Sequence, residues 1–286
     1  MRQFLSATLV VAAMCAPLAA QDAEATRQTI ALGDPGRPAT LDVNLVMGSI
    51  SVKGSNRKDV LIETRGSSPA PGARPPRQNR PDEPPPPGLR RLTQRPPIDI
   101  DQDRNTISID VDSPLRSVDF TIEVPLRTNL DVETVMGSVS VEGVDGEVEV
   151  ESVNGAVTLT NVSGSVVAHT VNGKLTATVT RAAPQQPMAF TSLNGSVDVT
   201  LPAAVKANLK LRSDQGDVYT DFDLQQARQD SSNANPNPNP DVNLSRRGNR
   251  RRGNDIDSAI YGSVNGGGPD FEMRTFNGNV YVRKGK

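Results

Sequence analysis

Between Val132 and Thr180 apolar and polar side chains alternate, and a glycine breaks the alternation every nine residues: Gly137, Gly146, Gly155, Gly164 and Gly173. Alternation with period two, carried by Val, Leu, Ser and Thr, predicts β-strands rather than helices. Two kinds of turn follow one another, so the true repeat is 18 residues. Val132 to Glu149 reads VETVMGSVSVEGVDGEVE and Val150 to Val167 reads VESVNGAVTLTNVSGSVV. Ala168 onward reads AHTVNGKLTATVT, before a Pro-containing stretch ends the rhythm. In register, Val135, Val153 and Val171 share one column, and Val139, Val157 and Leu175 share another. Thr134, Ser152 and Thr170 stack as a column of hydroxyls. Met-Gly, Asn-Gly, Asp-Gly and Ser-Gly are residue pairs suited to positive-φ corners between strands.

A small unit repeated at a fixed interval builds a stack rather than a globule around one site. The chain is therefore read as all-β, a single β-solenoid or β-helix of about 18-residue coils. One coil carries only about six inward aliphatic side chains, too few to offset the entropy of ordering it. Neighbouring coils must close the core. Looser copies spread the unit along the chain: VNLVMGSISV (Val43 to Val52), FTSLNGSVDV (Phe190 to Val199), LRSDQGDVYT (Leu211 to Thr220) and MRTFNGNVYV (Met273 to Val282). Gly48, Gly137, Gly155, Gly173, Gly195, Gly216 and Gly278 thus mark equivalent corners. The Asn residues at four of them, Asn154, Asn172, Asn194 and Asn277, read as positive-φ turn residues, with an amide ladder as a further role, not as a binding site.

Two stretches interrupt the pattern. Residues 66–97 are rich in Pro and Arg, and residues 225–257 carry NANPNPNPD followed by SRRGNRRRGND. Neither has the apolar content to fold, so both are expected as disordered loops, the first with a polyproline-II ligand as its alternative reading. The expected organisation is a signal peptide over 1–20 and one solenoid domain over 29–286 with insertions 66–97 and 225–257. Arg2 supplies the basic start of the leader, Leu9 to Ala13 its apolar stretch, and Pro17-Leu18-Ala19-Ala20 the small-residue cleavage site. That apolar run is too short to cross a bilayer. The chain is therefore expected to be exported, periplasmic or extracellular, and not membrane-spanning.

Composition narrows the chemistry. The only cysteine, Cys15, lies in the leader behind Met14, which does not fit a lipoprotein signal. The chain beyond the leader can then form no disulfide and no thiolate site. A net charge of -2 gives no global field to recruit nucleic acid. No Trp, three Tyr and six Phe argue against an aromatic-lined sugar cleft. His169 is the only histidine and occupies a column held by Glu133 and Glu151, so it reads as solvated rather than as a base or ligand. Asp99, Asp101 and Asp103 alternate on one strand face, as do Asp110 and Asp112. They read as a solvated face that discourages edge pairing, with a Ca²⁺ site and a glycosidase pair as the alternatives. Gly266-Gly267-Gly268-Pro269 is a flexible turn with no helix after it, so it is not a phosphate loop. No catalytic, metal-ligating or cofactor-binding residue is assigned, and no cofactor is expected. Arg246, Arg247, Arg250, Arg251 and Arg252 form the one concentrated basic patch, a candidate loop for anionic envelope polymers or lipid headgroups.

The recurrent V-x-[TS]-x-x-G-x-[VI]-x-[VL] unit, the leader, and VDFTIEVP ahead of LDVETVMGSVSVEG resemble the DUF4097 family, also labelled as adhesins and similar in appearance to bactofilin-type β-helices. The resemblance runs from about Leu41 to Val282 without the two insertions. It implies a β-solenoid with no family active site to carry over. On this reading the protein is an exported, non-enzymatic scaffold or adhesin-like interaction protein of the cell envelope. Its partner, an envelope protein or polymer, is unknown, and its strand edges allow self-association through the ends of the stack. Two alternatives stay open: a polysaccharide-active β-helix enzyme, and a sensor domain in envelope-stress signalling.

Overall fold

The computed structural model describes residues 25–66, 98–111, 117–226 and 259–285, and within them it contains strands and no helix. The alternation read from the sequence is the alternation of burial. Along Thr128–Met136, for example, Thr128, Leu130, Val132 and Thr134 point inward while Asp131, Glu133 and Val135 face out. A strand buried on one side only needs this period, and parallel stacking supplies the backbone hydrogen bonds.

Each rung consists of two strands, joined by a corner in the seven rungs whose connection lies within the described residues. On the first flank, eight parallel strands run in the spatial order Thr106–Val111, Ala39–Met47, Thr128–Met136, Asp145–Asn154, the second half of Val157–Asn172, Met188–Asn194, Asp270–Asn277 and Ala207–Gln215. On the second flank the order is Val118–Pro125, Ile50–Ser55, Val139–Glu142, the first half of Val157–Asn172, Leu175–Ala182, Val197–Pro202, Val280–Gly285 and Val218–Thr220. Val157–Asn172 passes from one flank to the other through Asn161, which takes a left-handed φ of 54°. Inward side chains of both flanks form one hydrophobic core, with Phe120, Phe190 and Phe271 among its largest fully buried members.

Spatial order departs from chain order at both ends. From Thr128 to Pro202 each coil lies on the one before it. The first coil, Ala39–Ser55, instead lies between the coil of Thr106–Pro125 and that of Thr128–Glu142. The last coil, Asp270–Gly285, lies between Met188–Pro202 and Ala207–Thr220. The repeat pattern identifies which segments make equivalent rungs. It does not rank them, because all share the same inward columns.

Antiparallel strands close the stack. Ala25–Ala31 pairs with Asp59–Gly66, which pairs with Val118–Pro125, and Asp99–Asp103 covers Thr106–Val111. At the other end Ile260–Val264 covers Ala207–Gln215 and receives Gln225–Gln226.

Candidate functional site

The corner glycines line up along the axis in the order Gly48, Gly137, Gly155, Gly173, Gly195, Gly278 and Gly216. A Cβ on any of the last six would run into the carbonyl oxygen of the glycine on the adjacent rung. Only Gly48, Gly137 and Gly278 of this column have φ between +135° and +150°. At Gly155, Gly173, Gly195 and Gly216 the requirement is close approach of backbones, not the positive φ expected from the sequence. The Asn residues before these glycines are likewise not at positive φ. They form an amide ladder: Asn172 donates to Oδ1 of Asn154 at 2.9 Å, Asn194 to Asn172 at 2.8 Å, and Asn277 to Asn194 at 2.7 Å.

Beneath the ladder the hydroxyl column turns inward. Thr170, Ser192, Thr275 and Ser213 donate to corner carbonyls at 2.7 to 3.2 Å. Because position 134 and its equivalents point in, the next position points out. Val135, Val153 and Val171 therefore form an exposed apolar column, continued by Val46 on one side and by Leu193 and Phe276 on the other. Five of these side chains are 38 to 46% exposed, where apolar strand residues normally turn inward. The column forms one wall of an open groove of about 580 Å³ running along the axis, with Glu133, Glu151, His169 and Arg274 on its other side. The 18-residue repeat places the three valines in one column without assigning that column to the surface. Counting by twos from buried Val132 gives it directly.

Charge is unevenly distributed on this flank. The outward column beside the apolar one reads Asp110, Asn44, Glu133, Glu151, His169, Thr191, Arg274 and Arg212. The next reads Ser108, Asp42, Asp131, Glu149, Val167, Ala189, Glu272 and Lys210. Arg274 and Arg212 both reach Asp214, and Lys210 reaches Glu272 at 3.1 Å. The carboxylates of Asp42, Asp110, Asp131, Glu133, Glu149 and Glu151 have no cation within ion-pair distance among the described residues. Burial, then the charges of Asp131 and Asp110, raise the carboxyl of Asp42. Burial, then Asp131 and Glu151, raise that of Glu133. Protein carboxylates packed on neighbouring rungs repel one another, and protonation relieves it. The second flank differs. Its Ser51, Ser140, Thr158 and Thr176 column is uncharged over those four rungs and meets Asp198 on the next, and charges there pair across rungs, as in Arg283–Asp198 at 2.8 Å and Arg57–Glu123 at 3.3 Å.

The other residues singled out in the sequence are scattered. His169 is half-buried in the groove wall opposite Glu151 and Thr191. Asp99, Asp101 and Asp103 are exposed on an edge strand, with Asp99 opposite Asp110. Among the described residues no three His, Cys, Asp or Glu side chains are arranged to hold a metal ion. Gly266 and Gly267 take φ of 92° and 79° in the turn between Ile260–Val264 and Asp270–Asn277. Cys15, Asp112 and the five arginines from Arg246 to Arg252 lie outside the described residues, as do the leader and nearly all of both insertions. No helix among the described residues is long and apolar enough to cross a membrane.

The family model described as Toastrack DUF4097 matches residues 37–245. No curated protein matches the chain. Two solved structures are similar. One, a candidate cell adhesion protein from Clostridium sporogenes ATCC 15579, is 10% identical, with a TM-score of 0.42 over 92% of this chain and 100% of that one. The other, a candidate adhesin from Bacteroides fragilis NCTC 9343, is 10% identical, with a TM-score of 0.26 over 91% of this chain and 97% of that one. TM-scores this low carry no weight for function.

Proposed function

This chain belongs to the Toastrack DUF4097 family, and we propose that it is an exported, non-enzymatic scaffold that binds envelope components through the ordered side-chain columns of its stack. The observation that carries this reading is the grooved flank, where apolar, polar and acidic columns run side by side over consecutive rungs. A stacked backbone holds such columns at fixed spacing with little conformational freedom to lose on binding, which is what an adhesive surface requires. Residues 1–20 act as a cleaved leader, residues 29–286 as one domain with excursions at 66–97 and 225–257, and the product resides in the periplasm or outside the cell. A second contact is assigned to Arg246, Arg247, Arg250, Arg251 and Arg252, whose charges suit an anionic envelope polymer.

Cell fractionation with crosslinking on the tagged native protein tests the reading. The expected result is an exported protein, shortened by the leader, crosslinked to an envelope component. A full-length cytoplasmic protein overturns it. Turnover of a uronic-acid polymer would favour the enzyme alternative instead. Unchanged retention on anionic polymer after deletion of Arg246 to Arg252 removes the arginine contact.

A further inference from the structure

We propose that the groove is the docking site for a cationic amphipathic helix of a partner protein. The inference rests on the interaction-scaffold reading above and names the partner's chemistry.

The apolar column supplies the anchor surface. Val46, Val135, Val153, Val171, Leu193 and Phe276 occupy six successive rungs, a span of about 24 Å at the inter-strand spacing. Of the large apolar side chains exposed in the described residues, five stand in this one column and Met136 adjoins it. Contiguous exposure of this kind marks an interaction surface, whereas scattered exposure does not.

Spacing selects the occupant's conformation. A helix laid along the axis repeats its apolar stripe every turn, about 5.4 Å, against a rung spacing of about 4.8 Å. The mismatch accumulates to only about 3 Å over five steps, and about 16 residues cover the column. An extended peptide presents same-side residues every 6.6 to 6.8 Å or so and falls out of step within two or three rungs. Helix-in-groove recognition uses an i, i+3, i+4, i+7 apolar stripe of this kind.

Charge selects its chemistry. The six unpaired carboxylates, on the rungs of Asp110, Asn44, Glu133 and Glu151, flank the apolar column on one side. Counting Asp214 and Glu272 against Lys210, Arg212 and Arg274, the apolar column and the two columns beside it hold five more carboxylates than cations among the described residues. A second copy of this chain, docked face to face, would set two such surplus-negative surfaces against each other. A helix with Lys or Arg along one border of its apolar stripe instead offsets the surplus while burying the column.

The test uses the full chain and a fluorescein-labelled Ala/Gln-based helix of about 16 residues, with a Leu stripe bordered on one side by Lys. Two controls replace Lys by Glu or the Leu stripe by Gln. Fluorescence anisotropy is expected to show saturable binding of the probe, weakened at least about tenfold in either control. Val153→Asp with Val171→Asp should weaken it at least about tenfold. Glu133→Gln with Glu151→Gln should weaken it several-fold and flatten its salt dependence. Both positions are exposed, and an unchanged strand-type circular dichroism spectrum verifies each variant's fold. Equal binding of the basic control without Leu, or indifference to the Val153 and Val171 changes, overturns the proposal. So does a dimer of the unbound chain that dissociates on Val153→Asp, which would give the groove to a second copy. Tightening of the probe about tenfold when the five arginines at 246–252 are changed to serine overturns it too, because the chain's own loop would then be the occupant. Failure here with successful envelope crosslinking rejects the helix partner alone, and the reverse outcome rejects the envelope assignment alone.

Discussion

Asn277 donates its side-chain amide to Oδ1 of Asn194 at 2.7 Å, across 83 residues of sequence. The contact belongs to the last coil, Asp270–Gly285, which sits inside the stack and not at its end. Ending the chain before Asp270 therefore removes an internal rung. In a stack whose stability comes from neighbouring interfaces, the coil beyond the gap loses its support. Hydrogen exchange at Leu209 and Leu211 is expected to approach loop rates in that truncation, while Val148, Val150 and Leu159 stay protected. Retained protection at Leu209 and Leu211 would mean that Ala207–Gln215 is held without the last coil, by Ile260–Val264 alone or by direct pairing with Met188–Asn194.

Gly155 and Gly266 separate two reasons for glycine. A methyl on Gly155 meets the backbone carbonyl of Gly137, which is held by its own rung and cannot retreat. Gly155→Ala should cost about 3 kcal/mol or more, the range of backbone strain inside a packed element. Gly266, at φ 92°, has open space for 4 Å around the point where a Cβ would stand, so it suffers only the conformational penalty. Gly266→Ala should cost about 1–2 kcal/mol. Urea unfolding of the two variants measures both, and equal costs would refute the steric account of the corner column.

Phe190 and Leu193 lie on one strand with opposite fates. Phe190 is fully buried and Leu193 is 46% exposed. Phe190→Ala should lose about 3–5 kcal/mol through the cavity it leaves. Leu193→Ala should stay within about 0.5 kcal/mol. A large cost at Leu193 would mean that the apolar column is sealed in the isolated chain and is not a surface.

Glu133 gives a pH-dependent prediction. Burial and the neighbouring Asp131 and Glu151 raise its carboxyl above the ordinary 4.5. A raised acid binds its proton more tightly in the folded state, so its charged form weakens the fold at neutral pH. That penalty declines as pH falls through the raised pKa and is gone below 4.5. Glu133→Gln should therefore raise the Tm at neutral pH, with the gain shrinking to nothing below 4.5. A gain that is constant with pH would exclude carboxylate repulsion as its cause.

The rung itself is legible in the sequence because Val132, Val150 and Ala168 repeat at 18 residues, and adjacent coils there are also adjacent in space. The interleaving of the end coils is not legible. Val43 and Met273 fit the inward column as well as Val150 does, and nothing in a repeat unit encodes which neighbour it meets. The groove is half legible. Its valines are visible as a column, yet hydrophobicity alone suggests the interior, and only strict parity along Thr128–Met136 turns Val135 outward. The acidic side is hidden for another reason. Asp42, Asp110 and Glu133 are far apart in the chain and converge only because Ala39–Ser55 is threaded between later coils.

Threading of the last coil has a consequence for biogenesis. Synthesis proceeds from the N-terminus, so both coils that flank the slot, Met188–Pro202 and Ala207–Thr220, leave the ribosome before Asp270–Gly285, the segment that fills it. Until that segment emerges, the coils Met188–Pro202 and Ala207–Thr220 each lack the strands they pair with on that side. The nascent polypeptide thus keeps an unzipped seam until a segment made later is laid between two made earlier, so the stack does not grow by elongation at one end alone.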